Sequence, residues 1–188
     1  LSHLLSTVQE GKMIREGIKT VILGKPNAGK SSLLNLLIGE NKAIVTDIAG
    51  TTRDTLEEYI TLSGISLRII DTAGIRDTKD LVEQIGVDKA REMGKSADLI
   101  LYVVDSSTLL DESDEEIIGM LENKKAIVLL NKTDLHPVVD EESLKKKVNH
   151  PIIPISVKEQ TGIRELEEQI KEMFFSGNIT FNDEVYIT

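Results

Sequence analysis

The chain has 188 residues, enough for one well-buried domain with short extensions. Its 32 acidic residues outnumber 22 basic ones, for a formal net charge of −10, so we expect no direct nucleic-acid binding by this surface. The absence of cysteine excludes disulfides, thiolate metal sites and cysteine nucleophiles within this sequence, and no membrane span or targeting segment is visible, so we expect a cytoplasmic protein without a membrane partner.

The first segment, Leu1–Gly17, spaces its apolar residues as a helix does. It predicts either a surface helix that packs on the domain or a connector to a neighbouring domain. The chain starts without methionine and stops in mid-pattern, so we expect a piece of a longer protein. We divide it into a connector helix (residues 1–17), one folded domain (18–176) and a tail that leads to a missing domain (177–188).

From Ile18 onwards, short apolar runs alternate with amphipathic segments, which is typical of a parallel sheet buried on both faces. Residues 55–62 alternate polar and apolar side chains instead, and Ser63-Gly64 can turn them into the next run, which predicts an antiparallel hairpin at one edge. We predict an α/β fold with a six-stranded, mostly parallel sheet, one antiparallel edge strand and helices on both faces. The predicted strands are Ile18–Leu23, Thr55–Leu62, Ile65–Ile70, Leu99–Val104, Ala126–Leu130 and Ile152–Ile155. The predicted helices are Lys30–Ile38, Val82–Met93, Asp114–Leu121, Glu141–Val148 and Gly162–Phe174.

A complete phosphate-binding loop, Gly24–Ser31, follows the first strand and opens a helix, the context that this motif requires. Its glycines let backbone N–H groups approach phosphates, and the helix N-terminus adds positive potential. Lys30 is predicted to neutralise the β- and γ-phosphates, and the Ser31 hydroxyl to bind Mg²⁺. ATP and GTP enzymes share this loop, which therefore does not identify the base. The loop residues predicted to contact the nucleotide are Asn27, Ala28, Gly29, Lys30, Ser31 and Ser32.

The base is predicted by Asn131-Lys132-Thr133-Asp134, directly after a buried strand. The Asp134 carboxylate can accept hydrogen bonds from N1–H and the exocyclic amine of guanine, a donor pair that adenine lacks on this edge. Sites of this kind reject the wrong substrate by about 10⁴–10⁵-fold. Asn131 and Lys132 are predicted to brace the loop and cover the ring. Ser156-Val157-Lys158, after the last strand, is predicted to make a backbone contact with the guanine carbonyl.

Two further segments are predicted to contact the γ-phosphate and the metal. The loop 41–54 can close over the phosphate, with Thr52 as the favoured Mg²⁺ ligand and Thr51 as the alternative. In Asp71-Thr72-Ala73-Gly74, Asp71 is predicted to hold the metal through water, while the Gly74 N–H contacts the γ-phosphate and moves when it leaves. The predicted nucleotide contacts of the first loop are Thr46, Asp47, Ile48, Ala49, Gly50, Thr51 and Thr52.

The residue after Gly74 departs from a common pattern. Many GTPases place a glutamine there to orient the attacking water, whereas this chain has Ile75. Another side chain must take that role, or the chain binds GTP with negligible hydrolysis. From the residues alone, the candidates are Arg76, Asp77, Asp80, Glu83 and Gln84.

Three stretches make a family resemblance specific: residues 24–32, 43–54, and 71–78 running into 82–87. They resemble the G domain of the tRNA-modification GTPases called MnmE or TrmE, within the TrmE-Era-EngA-like GTPase family. The resemblance covers Ile14 to about Phe175. The stretch Val82–Val87 separates MnmE from the ribosome-assembly GTPases Era and Der, which are the alternative.

The resemblance implies roles for several residues. The family's glutamate at the position of Glu83 orients the catalytic water, so Glu83, Lys30 and Gly74 form the implied catalytic set. The family's asparagine at the position of Asn27 coordinates K⁺ beside the phosphates. Backbone carbonyls matching Thr46 and Ile48 complete the implied potassium site, with Thr51 as a further candidate.

Potassium would also supply positive charge beside the phosphates, since no residue is an obvious arginine finger. Arg53 and Arg76 are the rival sources of that charge. Ordering of the loop 41–54 by K⁺ on two chains predicts a two-fold homodimer through the G domains when a GTP-like ligand is bound.

The resemblance implies partners for a full-length protein, namely the flavoprotein MnmG (GidA) and tRNA, whose wobble uridine is modified at C5. It also implies a folate-binding domain and a helical domain with a C-terminal cysteine. We expect this chain to supply GTP hydrolysis rather than the modification itself.

Overall fold

The computed structural model describes residues 11, 15–41, 57–70 and 83–175. The strands in these ranges are β1 (Ile18–Leu23), β2 (Glu58–Leu62), β3 (Ile65–Ile69), β4 (Leu99–Asp105), β5 (Ala126–Asn131) and β6 (Ile152–Pro154). The main helices are α1 (Lys30–Asn41), α2 (Glu83–Ser96), α3 (Glu112–Met120), α4 (Glu141–Lys145) and α5 (Ile163–Phe175).

The strands form one sheet in the order β2-β3-β1-β4-β5-β6. Every neighbouring pair is parallel except β2 and β3, which pair antiparallel. The hairpin turns at Ser63 and Gly64, with φ of 48° and 84°, the two positive values that a tight hairpin turn of this kind requires. The predicted fold class and the antiparallel edge strand are confirmed.

Apolar side chains form two clusters, one on each face of the sheet. Helices α1 and α5 cover one face, and α2, α3 and α4 supply side chains to the other. All residues of β4 and β5 are buried, which explains why both read as continuous apolar runs instead of alternating ones. Burial of each large aliphatic side chain contributes about 1.5–3 kcal/mol, so these central strands anchor the edge where they end.

The observed helices differ from their predicted limits by one to three residues at their ends, and two of these differences have a visible cause. Helix α3 begins at Glu112 instead of Asp114 because Asp111 is its N-cap and forms a reciprocal capping box with Asp114. Helix α4 ends at Lys145 instead of Val148, since the Lys147 N–H bonds back to the Leu144 carbonyl at 2.9 Å and tightens the last turn.

Most of the predicted N-terminal helix and the tail 177–188 lie outside the described residues. Gly11, Arg15 and Glu16 are helical, and the connector role stays a prediction. Across the described ranges, no helix combines the length and the apolarity needed to cross a bilayer.

Candidate functional site

The candidate site lies where four parallel strands end. The carboxyl ends of β1, β4, β5 and β6 lead into Gly24, Ser106, Lys132 and Ile155, all at the same edge of the sheet. The chain leaves β1 for β3 on one side and reaches β4 on the other, so the strand order reverses there. Such a switch point is where open α/β sheets bind their ligands.

The phosphate-binding loop between β1 and α1 has two positions that exclude any side chain. A Cβ on Gly24 would lie 2.6 Å from the Val103 carbonyl oxygen, and one on Gly29, where φ is 111°, would lie 2.2 Å from Asn131 Nδ2. Asn27 also has a positive φ of 65°. The loop therefore packs its backbone directly against β4 and β5.

Lys30, the first residue of α1, donates from Nζ to the Gly24 carbonyl at 2.7 Å across the loop. Burial lowers the pKa of this ammonium group. Because the N-terminus of α1 carries positive potential, the loop, the lysine and the helix combine into a place suited to an anion. Ser31 follows, half-buried, and Ser32 is exposed.

Asn131 joins two loops that the sequence separates widely. Its side chain is 2% exposed. Its Nδ2 donates to the Ala28 carbonyl at 2.9 Å, and its Oδ1 accepts from the Val157 N–H at 3.1 Å. Asn131 therefore fixes the phosphate-binding loop and the loop after β6 relative to each other.

Lys132 makes the next contact with the loop. With φ of 65°, it directs Nζ to the Asn27 carbonyl at 2.8 Å and to Asp105 Oδ2 at 2.8 Å. Burial alone would raise the pKa of Asp105, but hydrogen bonds from Lys132 and Ser107 outweigh it, and the net pKa is lowered. Asp105 is thus a charged partner that holds Lys132 in place.

Asp105 and Ser106 are site residues that the sequence reasoning missed. Ser106 is 1% exposed; its hydroxyl donates to the Lys132 carbonyl at 3.1 Å, and its own carbonyl accepts from Val138 N–H at 2.7 Å. The available signal was their position, since Asp105-Ser106-Ser107 is a polar run directly after a buried apolar strand.

Asp134 is exposed, and its orientation is set by a buried neighbour. Ser156, 1% exposed, donates from Oγ to Asp134 Oδ1 at 2.7 Å, and accepts from the Glu159 N–H at 3.1 Å. The hydrogen bond from Ser156 lowers the pKa of Asp134, which keeps it an acceptor. The sequence predicts a backbone contact between the loop at Ser156 and the base, which stays a prediction; the side-chain role of Ser156 has no signal in the sequence.

Much of the predicted metal and γ-phosphate machinery lies outside the described residues. This holds for Thr46, Asp47, Ile48, Ala49, Gly50, Thr51, Thr52, Asp71, Gly74 and the candidates Arg76, Asp77 and Asp80. The backbone of Glu83 begins α2, whereas its side chain, like that of Gln84, is outside the described part. In the part of the chain that is described, no three or more His, Asp or Glu side chains converge to hold a metal ion.

Comparisons with known proteins agree with this geometry. The model of a family described as "50S ribosome-binding GTPase" matches residues 19–132. The whole chain is similar to the tRNA modification GTPase MnmE of Lachnoclostridium phytofermentans, at 60% identity, and of Clostridioides difficile, at 53%. It spans 41% of the length of each relative. The crystal structure of Era with MgGDPNP and a 16S ribosomal RNA segment is 31% identical with a TM-score of 0.62, over 87% of this chain and 59% of that one.

Proposed function

The chain belongs to the GTPase family whose model it matches over residues 19–132, and on that premise we propose that its site binds GTP and hydrolyses it to GDP and phosphate for a tRNA-modification enzyme. The observation that carries the proposal is the junction at Asn131, which holds the phosphate-binding loop and the loop after β6 together beside Asp134. The likeness to MnmE relatives along the whole chain supports the tRNA-modification context.

In the proposed complex, phosphates lie over the loop 24–31 and the start of α1, next to the Lys30 ammonium group. The base lies beside Asp134, whose Oδ1 is engaged by Ser156 so that the carboxylate is fixed in direction. Pairing of this carboxylate with the N1–H and the amine of guanine selects GTP over ATP. The loop around Val157 and Lys158 is proposed to contact the guanine carbonyl.

Mg²⁺, the metal that GTPases of this kind use, would neutralise charge on the β- and γ-phosphates. We propose Ser31, Thr52 and Asp71 as the residues that hold it, with Thr51 as the alternative to Thr52. Ser31 fits because it is half-buried and directly follows Lys30 at the start of α1.

We assign the positioning of the attacking water to Glu83, at the first residue of α2, with the Gly74 N–H on the γ-phosphate. A free glutamate, with a reference pKa of about 4.3, is a weak base at neutral pH, so we expect Glu83 to contribute orientation of the water more than proton abstraction.

K⁺ is proposed to supply the positive charge that an arginine finger supplies elsewhere. Asn27 fits the role of ligand because it is exposed and its backbone carbonyl is engaged by Lys132, which leaves the side-chain amide oxygen for the cation. Thr46, Ile48 and Thr51 complete the proposed set. An ordered loop on each of two chains would give the self-complementary surface that a two-fold dimer needs.

For the full-length protein, we propose tRNA and the flavoprotein MnmG (GidA) as partners, in the cytoplasm. The structural likeness to Era supports the alternative of a ribosome-assembly GTPase. Co-sedimentation of the full-length protein with ribosomes separates the two, since the tRNA-modification proposal predicts that it stays in the supernatant.

The proposal is tested by phosphate release and light scattering with GTP, in KCl and NaCl at equal ionic strength. We expect faster hydrolysis and dimer formation in KCl, and loss of the potassium effect in Asn27→Ala. Asn35→Ala, an exposed asparagine on α1, is the matched control and should behave as wild type. Equal mass and rate in both salts would disprove the potassium proposal, and failure to hydrolyse GTP in either salt would disprove the enzyme proposal.

A further inference from the structure

Lys25, the second residue of the phosphate-binding loop, turns away from the loop and towards α3. Its Nζ lies 2.8 Å from Asp114 Oδ2, 3.3 Å from Asp111 Oδ2 and 3.2 Å from the Leu109 carbonyl. An ammonium group has three N–H donors, and these three oxygens match them. A phosphate could be reached by Lys25 only if these contacts broke, so its role differs from that of Lys30.

Asp114 is the centre of this arrangement and is 1% exposed. Its Oδ1 accepts from the Tyr102 hydroxyl at 2.6 Å, and its Oδ2 accepts from the Asp111 N–H at 2.9 Å in addition to Lys25. Burial of a carboxylate is costly unless charge and hydrogen bonds compensate it. Here β4, the N-cap of α3 and the loop all contribute, so the four groups form one connected unit, which we call the Asp114 network: Lys25, Tyr102, Asp111 and Asp114.

The network has a direct mechanical consequence for the loop. Lys25 is adjacent to Gly24, whose carbonyl accepts from Lys30 and where an added Cβ would lie 2.6 Å from the Val103 carbonyl oxygen. The loop is therefore held at Gly24 by β4, at Ala28 by Asn131, and at Lys25 by Asp114. We expect that loss of the third anchor leaves the backbone at Lys25 less restrained, while the contacts at Gly24 and Ala28 remain.

We propose that Lys25 and Asp114 are positioning residues that set the conformation of the phosphate-binding loop for nucleotide binding, with Tyr102 fixing Asp114. This inference rests on the proposed binding of GTP and GDP at the loop. Neither side chain touches the nucleotide; both act through the backbone of the loop. The network predicts that Lys25 and Asp114 affect affinity together, as one unit.

The experiment measures GDP affinity with a fluorescent nucleotide, together with KM and kcat for GTP, in wild type, Lys25→Met, Asp114→Asn and the double variant. Each single variant is expected to weaken GDP binding and raise KM by about tenfold, with kcat within about twofold, since a hydrogen bond to a charged group is lost. The double variant should lose little more than either single variant. Lys25→Arg, which can pair with the same carboxylates, should keep near-wild-type affinity.

The matched control is Lys147→Met, which removes an exposed ion pair with Glu115. Glu115 lies on α3 next to Asp114, and its loss of this partner should leave affinity unchanged. If Asp114→Asn does not fold, Tyr102→Phe tests the same network and should weaken GDP binding in the same direction. Wild-type affinity in Lys25→Met, or losses that multiply to about a hundredfold in the double variant, would overturn the inference. Wild type that binds no GDP would overturn the proposed function instead.

Discussion

Truncation of Asn131 to alanine should destabilise the folded domain even without nucleotide. Asn131 is buried, and its amide makes one hydrogen bond to the loop 24–31 and one to the loop after β6. The variant removes both bonds and leaves the Ala28 carbonyl and the Val157 N–H without their partner. The Ala28 carbonyl is buried and the Val157 N–H is partly buried. Because an unsatisfied buried group costs about 1–3 kcal/mol, the expected loss in the free energy of unfolding is about 3 kcal/mol for the two together.

This loss corresponds to a melting temperature lower by roughly 6–12 °C for a domain of this size. Thermal and urea unfolding followed by circular dichroism measure it, and GDP affinity should fall in parallel because the phosphate-binding loop loses an anchor. Asn35→Ala is the control, since Asn35 is exposed on α1 and its replacement should change stability by less than about 0.5 kcal/mol. If Asn131→Ala has the same melting temperature as this control, the two hydrogen bonds contribute nothing measurable to the stability of the domain.

Three further predictions concern the base, the water and pH. Asp134→Asn should shift preference from guanine to xanthine nucleotides in competition binding, because the amide can donate to the xanthine carbonyl that replaces the guanine amine. Glu83→Ala should slow single-turnover hydrolysis strongly and leave GDP binding nearly unchanged, since the role that we propose for Glu83 is confined to the transition state. The pKa of Asp105 in the fold lies below its ordinary value of 3.8, so pairing with Lys132 stabilises the fold at pH values above 3.8. This stabilisation is lost as the pH falls through the lower folded-state pKa. The stability advantage of wild type over Asp105→Asn should therefore shrink below about pH 5.

Each of these has a contradicting outcome. Retained preference for GTP over XTP would remove Asp134 from base recognition. Unchanged hydrolysis in the Glu83 variant would transfer the proposed role to Arg76, Asp77 or Asp80. A constant difference between wild type and Asp105→Asn across acidic pH would show that the carboxylate is not charged in the fold.

The sequence predicted the sheet and the edge at which the site lies because strong local patterns agreed with the global fold. Buried apolar runs marked the strands, and each motif followed a run directly. The side-chain contacts that the sequence did not predict depend on strand register and on the direction of each side chain. Asp105 belongs to no motif, and its link to Lys132 follows from the pairing that places Asp105 opposite Asn131 across β4 and β5.

Ser156 illustrates the same limit in the loop after β6. Its place after β6 was evident from the sequence, but its hydroxyl finds Asp134, 22 residues earlier. In the parallel pairing of β5 and β6, Val128 lies opposite Ile152. This pairing brings together the loops that follow the two strands. No sequence pattern links Lys25 to its partner Asp114, which lies 89 positions later in the chain, at the predicted start of a helix.

The contact between Gly29 and Asn131 limits how this domain can be altered or can diverge. A Cβ at position 29 would stand 2.2 Å from the Asn131 amide nitrogen, and the positive φ of 111° would strain any side chain there, so position 29 must remain glycine. The two residues are about a hundred positions apart in the chain, yet the conformation of the phosphate-binding loop depends on both of them. Replacement of the loop after β5 by a foreign one should therefore exchange residues 133–135 and leave Asn131 and Lys132, which both contact the phosphate-binding loop, in place.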